Sequence, residues 1–160
     1  MTLDADVARL ARTRPFNLMP REAVQLVAFS CRKRRLKAGD FLFRAGERGD
    51  EGYFVHSGAI LLTKKGAAPD SGRRVRAGAL IGERALYAPV IRGVDARAAE
   101  DAVVTPVPWE TLRRVLAEFP AAAEKVRASL AERTRRLVDG LDAARVRSLD
   151  PTVRKSGSAP

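Results

Sequence analysis

Apolar positions along this chain change their spacing twice, and the changes mark out its elements. Residues 3–31 carry apolar side chains at roughly helical spacing, with Val7 and Leu10 followed by Val24, Val27 and Ala28. Arg14–Pro15–Phe16–Asn17 and Met19–Pro20 interrupt the pattern, so two helices are expected rather than one. From Arg35 to about Val107 the texture is different. Short apolar runs (Phe41–Leu42–Phe43, Tyr53–Phe54–Val55, Ile60–Leu61–Leu62, Val75, Leu80–Ile81, Val103–Val104) alternate with Gly39, Gly46, Gly49, Gly58, Gly66, Gly78 and Gly82. Many short strands at close, turn-marked spacing predict an antiparallel sandwich or jelly roll. Ala67 to Gly72 reads as a loop between two of them. Helical spacing returns at Trp109–Phe119 (Leu112, Val115, Leu116, Phe119). After Pro120 it runs on as a longer helix over 121–148, with Val126, Leu130, Leu137, Leu141 and Ala144 forming a stripe broken at Arg133–Thr134.

The expected fold class is therefore mainly β with flanking helices (α+β), an antiparallel jelly-roll β-barrel with N-terminal helices and a long C-terminal helix. Residues 1–120 would form the β-roll and 121–148 the C-terminal helix. The helix stripe needs cover from its own barrel, from a second copy of the chain, or from both. Residues 149–160, rich in Pro, Gly and Ser, are expected to be disordered.

Composition narrows the function classes. At 160 residues the chain is one domain's worth, and its 46% hydrophobic and 31% charged residues describe a globular protein with a real core. No apolar run approaches the ~18 residues of a membrane span. The start has acids and no apolar signal core, and one cysteine, Cys31, fits a reducing cytoplasm. The formal net charge of +11 invites a nucleic-acid reading. Its basic residues are spread along the chain, however, and the run Arg32–Lys33–Arg34–Arg35 just before a strand reads as a solvated face. DNA binding is not expected.

Chemistry concentrates in residues 82–94. Gly82 follows an apolar strand and opens into Glu83–Arg84–Ala85–Leu86, long enough for one helical turn. Backbone N–H groups at such a start suit a phosphate. Arg92 adds a fixed positive charge and paired donors, and Glu83, acceptor-only when ionised, suits a sugar hydroxyl. The two would close on one small anionic sugar phosphate.

Here the sequence resembles the cyclic-nucleotide-binding domain family, of the catabolite activator protein and cyclic-AMP-dependent kinase regulatory subunit type. The family's phosphate cassette (Gly-Glu, a variable residue, a small residue, Leu, a short loop, Arg, small residues) is met by Gly82–Glu83–Arg84–Ala85–Leu86 and Arg92–Gly93–Val94. Further landmarks stand in order at Gly39–Asp40–Phe41–Leu42–Phe43, Gly46–Glu47–Arg48–Gly49–Asp50, Tyr53–Phe54–Val55 and Ser57–Gly58. The resemblance implies that Glu83 accepts the ribose 2′-hydroxyl and Arg92 pairs with the phosphate oxygens. Backbone N–H groups around Ala85 and Gly93 would complete the cradle, with Val75 as an apolar wall for the purine. The ligand so implied is cyclic AMP or cyclic GMP, and the lack of a hydroxyl at Gly93 leans toward cyclic AMP. Arg84, Gly93–Val94 and Asp95 depart from the usual pattern. Asp95 would oppose an anion unless it points away or pairs with an arginine.

Other residues carry less. One Cys and one His cannot supply a tetrahedral zinc site, so no metal is expected. His56 reads as a half-buried strand histidine and Cys31 as a small hydrophobe. No nucleophile–base pairing or phosphate-loop lysine is present, so no enzyme is expected. Thr134 reads as a solvent-facing helix residue, with Leu137 and Val138 nearest the positions that meet the base in the catabolite-activator branch. With about a dozen residues past the long helix, no helix-turn-helix is expected after it. The expected role is a cytoplasmic cyclic-nucleotide sensor that signals through its 121–148 lid or dimerisation helix, to a second copy or to an effector the sequence does not identify. The alternative is a ligand-dead barrel serving as an interaction or dimerisation module.

Overall fold

The structure, a computed structural model, describes residues 2–149, with side chains through Arg145. Contacts divide the chain into two compact units, residues 1–123 and 124–160. The first begins with α1 (Leu3–Leu10), a 3₁₀ turn (Phe16–Leu18) and α2 (Arg21–Ser30). Thr2 caps α1 by accepting from the Ala5 N–H. Ten strands follow: β1 (Arg34–Leu36), β2 (Phe41–Phe43), β3 (Arg48–Gly49), β4 (Glu51–Ser57), β5 (Ala59–Lys64), β6 (Arg73–Arg76), β7 (Leu80–Ile81), β8 (Val90–Ile91), β9 (Val94–Ala98) and β10 (Ala102–Pro108). A second 3₁₀ turn, Glu83–Leu86, lies between β7 and β8, and α3 (Trp109–Glu118) closes the unit.

All pairings are antiparallel. One four-stranded sheet runs β1-β10-β4-β7, another runs β2-β9-β5-β6, and β3 pairs with β8 as a two-stranded ribbon. Side chains from both large sheets fill one core, including Phe43, Tyr53, Val55, Ile60, Val75, Ile81, Ala96 and Val104. A second core lies between the first sheet and the helices, where Val7, Leu10, Phe16, Val24, Val27, Phe54, Val107, Leu112 and Val115 meet. Strand β4 shows how one sequence serves both. Successive side chains point to opposite faces, so Tyr53 and Val55 enter the inter-sheet core while Phe54 enters the helix core. A strand covered on both faces reads as an unbroken apolar run, as Tyr53–Phe54–Val55 does.

The mainly β architecture with N-terminal helices and a long C-terminal helix is as the sequence predicts. Four strands were not predicted. β1 is built from Arg34 and Arg35, which stay exposed, with only Leu36 turned inward, so the basic run enters a strand rather than preceding one. β9 presents Ala96 and Ala98 to the core, and methyl groups give little hydropathy signal. β3 and β8 have two residues each.

The second unit is the greater part of α4 (Pro120–Leu149), one helix that runs on through Arg133–Thr134, where the apolar stripe is interrupted. Thr134 stays helical by donating its hydroxyl back to the Leu130 carbonyl at 3.0 Å. Leu137, Val138 and Leu141 are exposed, at 66%, 49% and 62%. Of the expected tail at 149–160, residues 150–160 lie outside the described residues. No described helix is long and apolar enough to cross a membrane.

Candidate functional site

Arg92 follows β8 directly, and its backbone is held on both sides. Its N–H donates to the Glu47 carbonyl and its carbonyl accepts from the Gly46 N–H, each at 2.8 Å. The β3–β8 ribbon sets Gly49 opposite Val90, so the arginine side chain is laid back across Gly49. A Cβ on Gly49 would overlap the guanidinium, and one on Gly82 would lie 2.8 Å from Nη1. Both glycines are therefore bare because the arginine needs the room. Gly82 also adopts φ +72°, a left-handed conformation that side chains disfavour.

The guanidinium is buried, at 6% exposure for the residue. Its Nη2 donates to the Glu51 carbonyl at 2.7 Å, and its Cζ lies 4.2 Å from the Phe43 ring centroid and 5.7 Å from that of Tyr53. Ring faces are electron-rich, so both contacts offset part of the charge's lost hydration. Burial, reinforced by Glu51, raises the Tyr53 phenol above its ordinary pKa, so the ring stays neutral beside Arg92. Among the described residues Arg92 makes no ion pair, and its buried Nε has no hydrogen-bond partner. A buried guanidinium with an unpaired Nε and no ion pair among the described residues is chemically suited to receive an anion.

A cavity of about 290 Å³ opens over this arginine. Gly82, Glu83, Arg84, Ala85, Arg92, Gly93 and Val94 line it, as do Phe43, Leu62, Ile81, Val90 and Ile91. Its size sits near the lower end of the ~300–1,000 Å³ typical of small-molecule sites. Half-buried Glu83 opens the 3₁₀ turn, and the Tyr87 hydroxyl donates to its Oε1 at 3.1 Å. Arg84 is exposed on the rim and adds positive charge.

Of the nine residues singled out in the sequence, seven line the cavity and two do not. Leu86 turns into the helix core and Val75 into the inter-sheet core, both buried. Leu62, Val90 and Val94 supply apolar wall where Val75 was expected to. The Ala85 N–H, expected in the phosphate cradle, donates to the Gly82 carbonyl at 3.0 Å. Asp95 does not line the cavity: its Oδ1 accepts from the Ala45 N–H at 2.7 Å, pinning the turn after β2. The support of Arg92 by Phe43, Tyr53 and Gly49 was missed as a function. Its signal was the pair of aromatic strands flanking Gly46–Glu47–Arg48–Gly49. No group of three or more His, Cys, Asp or Glu among the described residues is placed to hold a metal ion.

The family described as "Cyclic nucleotide-binding domain" matches residues 33–119, more than half of the chain. A cyclic nucleotide-binding-like protein from Brucella abortus is 32% identical, with a TM-score of 0.64, over 71% of this chain and 98% of that one. The N-terminal domain of a transcriptional regulator from Streptomyces coelicolor is 28% identical, with a TM-score of 0.71, over 84% and 94%. The catabolite activator protein of Thermus thermophilus is 27% identical, with a TM-score of 0.61, over 79% and 60%. The regulatory domain of Toxoplasma gondii PKA, solved with cAMP, shares the fold at 20% identity and a TM-score of 0.63 over 81% and 50%. No curated protein sequence matches the chain. With the cassette, its buried arginine and the family match in agreement, this chain belongs to the cyclic-nucleotide-binding domain family.

Proposed function

We propose that the protein is a non-enzymatic cyclic-nucleotide sensor module. Arg92 takes the cyclic phosphate, Glu83 takes the ribose 2′-hydroxyl, and the purine lies against Leu62, Val90 and Val94. Cyclic AMP is the favoured ligand over cyclic GMP, because Gly93 offers no hydroxyl after the cassette arginine. One observation carries the reading: Arg92 is a buried guanidinium with no ion pair among the described residues, lining a cavity of nucleotide-compatible chemistry. A phosphate there replaces lost hydration with charge-assisted hydrogen bonds. Occupancy would be passed to the helix over 121–148, which changes its position or its partner when ligand binds.

Isothermal titration with cyclic AMP and cyclic GMP tests it. Saturable one-to-one binding is expected, tighter for cyclic AMP; no binding of either at millimolar ligand would end this reading. A second reading has its own observation in exposed Leu137, Val138 and Leu141. On that reading the helix dimerises or docks on a protein whether or not nucleotide is present, and its self-association is insensitive to cyclic AMP.

A further inference from the structure

A second cavity, of about 200 Å³, shares no residue with the first. It lies where α1, α2, β4 and β10 meet, and its two ends differ in chemistry. Leu3, Leu10, Ala28 and the Phe54 ring form an apolar body. Burial, helped by Glu51, pushes the Cys31 thiol up to about 11, so it stays neutral and belongs to that wall.

The other end is polar and incompletely paired. The His56 side chain is 4% exposed and that of Asp6 is 13%. His56 Nε2 is occupied by Thr105 Oγ1 at 2.6 Å, which leaves Nδ1. That nitrogen and Asp6 Oδ1 stand 3.5 Å apart, and neither has a hydrogen-bond partner among the described residues. Asp6 Oδ2 is held by Lys33 Nζ at 2.7 Å, and Arg9 donates to the His56 carbonyl at 2.8 Å. One cation thus holds the carboxylate, and a second is bonded to the backbone of His56.

This chemistry selects the occupant. Lys33 already balances the Asp6 carboxylate, so a ligand ammonium would add to the Lys33 and Arg9 charges acting on His56, and a ligand carboxylate would face Asp6 Oδ1. The two orphaned atoms call for a neutral group. A neutral hydroxyl satisfies both orphaned atoms through one oxygen. It donates to Asp6 Oδ1 and accepts from Nδ1–H, in the tautomer where Nε2 accepts from the Thr105 hydroxyl. An apolar cavity of ~150 Å³ holds benzene, so this one has room for a ring with one substituent. We propose that the cavity is a second ligand site, for a neutral single-ring phenol or alcohol whose hydroxyl bridges Asp6 and His56. Such a ligand ties the N-terminal helices to the sheet.

His56 is the only histidine, so its imidazole resonances need no assignment. The full chain, labelled with nitrogen-15, is titrated with phenol, benzyl alcohol, toluene and benzylamine. Phenol and benzyl alcohol should move Nδ1 saturably below about 10 mM, an affinity within reach of seven or eight heavy atoms. Toluene should bind at least fivefold more weakly, and benzylammonium should give no saturable shift. Ala28→Leu, which fills the apolar end, should abolish the phenol response, while Arg92→Ala should leave it intact. The proposal is overturned if phenol gives no saturable shift, if toluene or benzylammonium binds as well as phenol, or if a folded Ala28→Leu still responds. Comparing phenol with toluene requires no variant, so the test survives a cavity-filling substitution that disturbs packing.

Discussion

Gly49 and Arg92 compete for one volume: a Cβ on Gly49 would overlap the Arg92 guanidinium. Gly49 does not have a positive φ, so its backbone would accept alanine and the conflict is purely steric. Gly49→Ala should therefore displace Arg92 from Phe43 and the Glu51 carbonyl. Affinity for cyclic AMP should fall about tenfold or more, with an overpacking cost of ~1–3 kcal/mol. Calorimetric titration and urea denaturation of the same variant check both numbers.

Asp95 serves the loop rather than the ligand. Removing its hydrogen bond to the Ala45 N–H by Asp95→Ala should cost ~1.5–3 kcal/mol, the range for a bond to a charged group. Cyclic AMP affinity should change by less than about threefold, since the carboxylate faces the Arg44–Ala45 turn. A large gain in affinity on removing it would show that its charge had been opposing the phosphate.

Gly93 sits in open space, and a Cβ there meets nothing within 4 Å. Gly93→Thr should fold normally and place a hydroxyl beside the cassette arginine. Relative affinity should move toward cyclic GMP by about three- to tenfold, one hydrogen bond's worth of ~0.5–1.5 kcal/mol. Competition between the two nucleotides reads the ratio directly.

His56 links stability to pH. Burial lowers its pKa below the ordinary 6.5; Asp6 opposes that shift, and Lys33 and Arg9 reinforce it. A folded-state pKa below the unfolded one means the unfolded chain binds more protons between the two values. Stability is then fully present above pH 6.5 and is lost as pH falls from 6.5 toward the folded pKa. The imidazole titration midpoint of the native protein should lie below 6.5, and His56→Gln should flatten the fall of the urea midpoint as pH drops below 6.5. A native midpoint above 6.5 would reverse the sign.

The sheet and the cassette were legible in the sequence for physical reasons. Strands buried on both faces, such as β4, show as unbroken apolar runs, and Gly82 marks a conformation side chains avoid. β9 was illegible because Ala96 and Ala98 pack without a hydropathy signal, and β1 because two of its three residues are exposed arginines. Glu83 and Arg92 stood out by their residue chemistry and by resemblance to the family's cassette pattern. Side-chain direction was not available from spacing, which is why Val75 and Leu86 were expected at the site yet lie in the two cores. The fate of Asp95 was equally hidden, since its partner is a backbone N–H fifty residues away.

The central claim is that buried Arg92, which makes no ion pair among the described residues, binds the cyclic phosphate. Its most direct test is calorimetric titration of cyclic AMP into the native protein and into Arg92→Ala, after circular dichroism shows both folded. The account predicts saturable binding to the native protein and at least tenfold weaker binding to the variant, since a charge-assisted contact contributes ~1.5–3 kcal/mol. Equal affinity in the two proteins would contradict it.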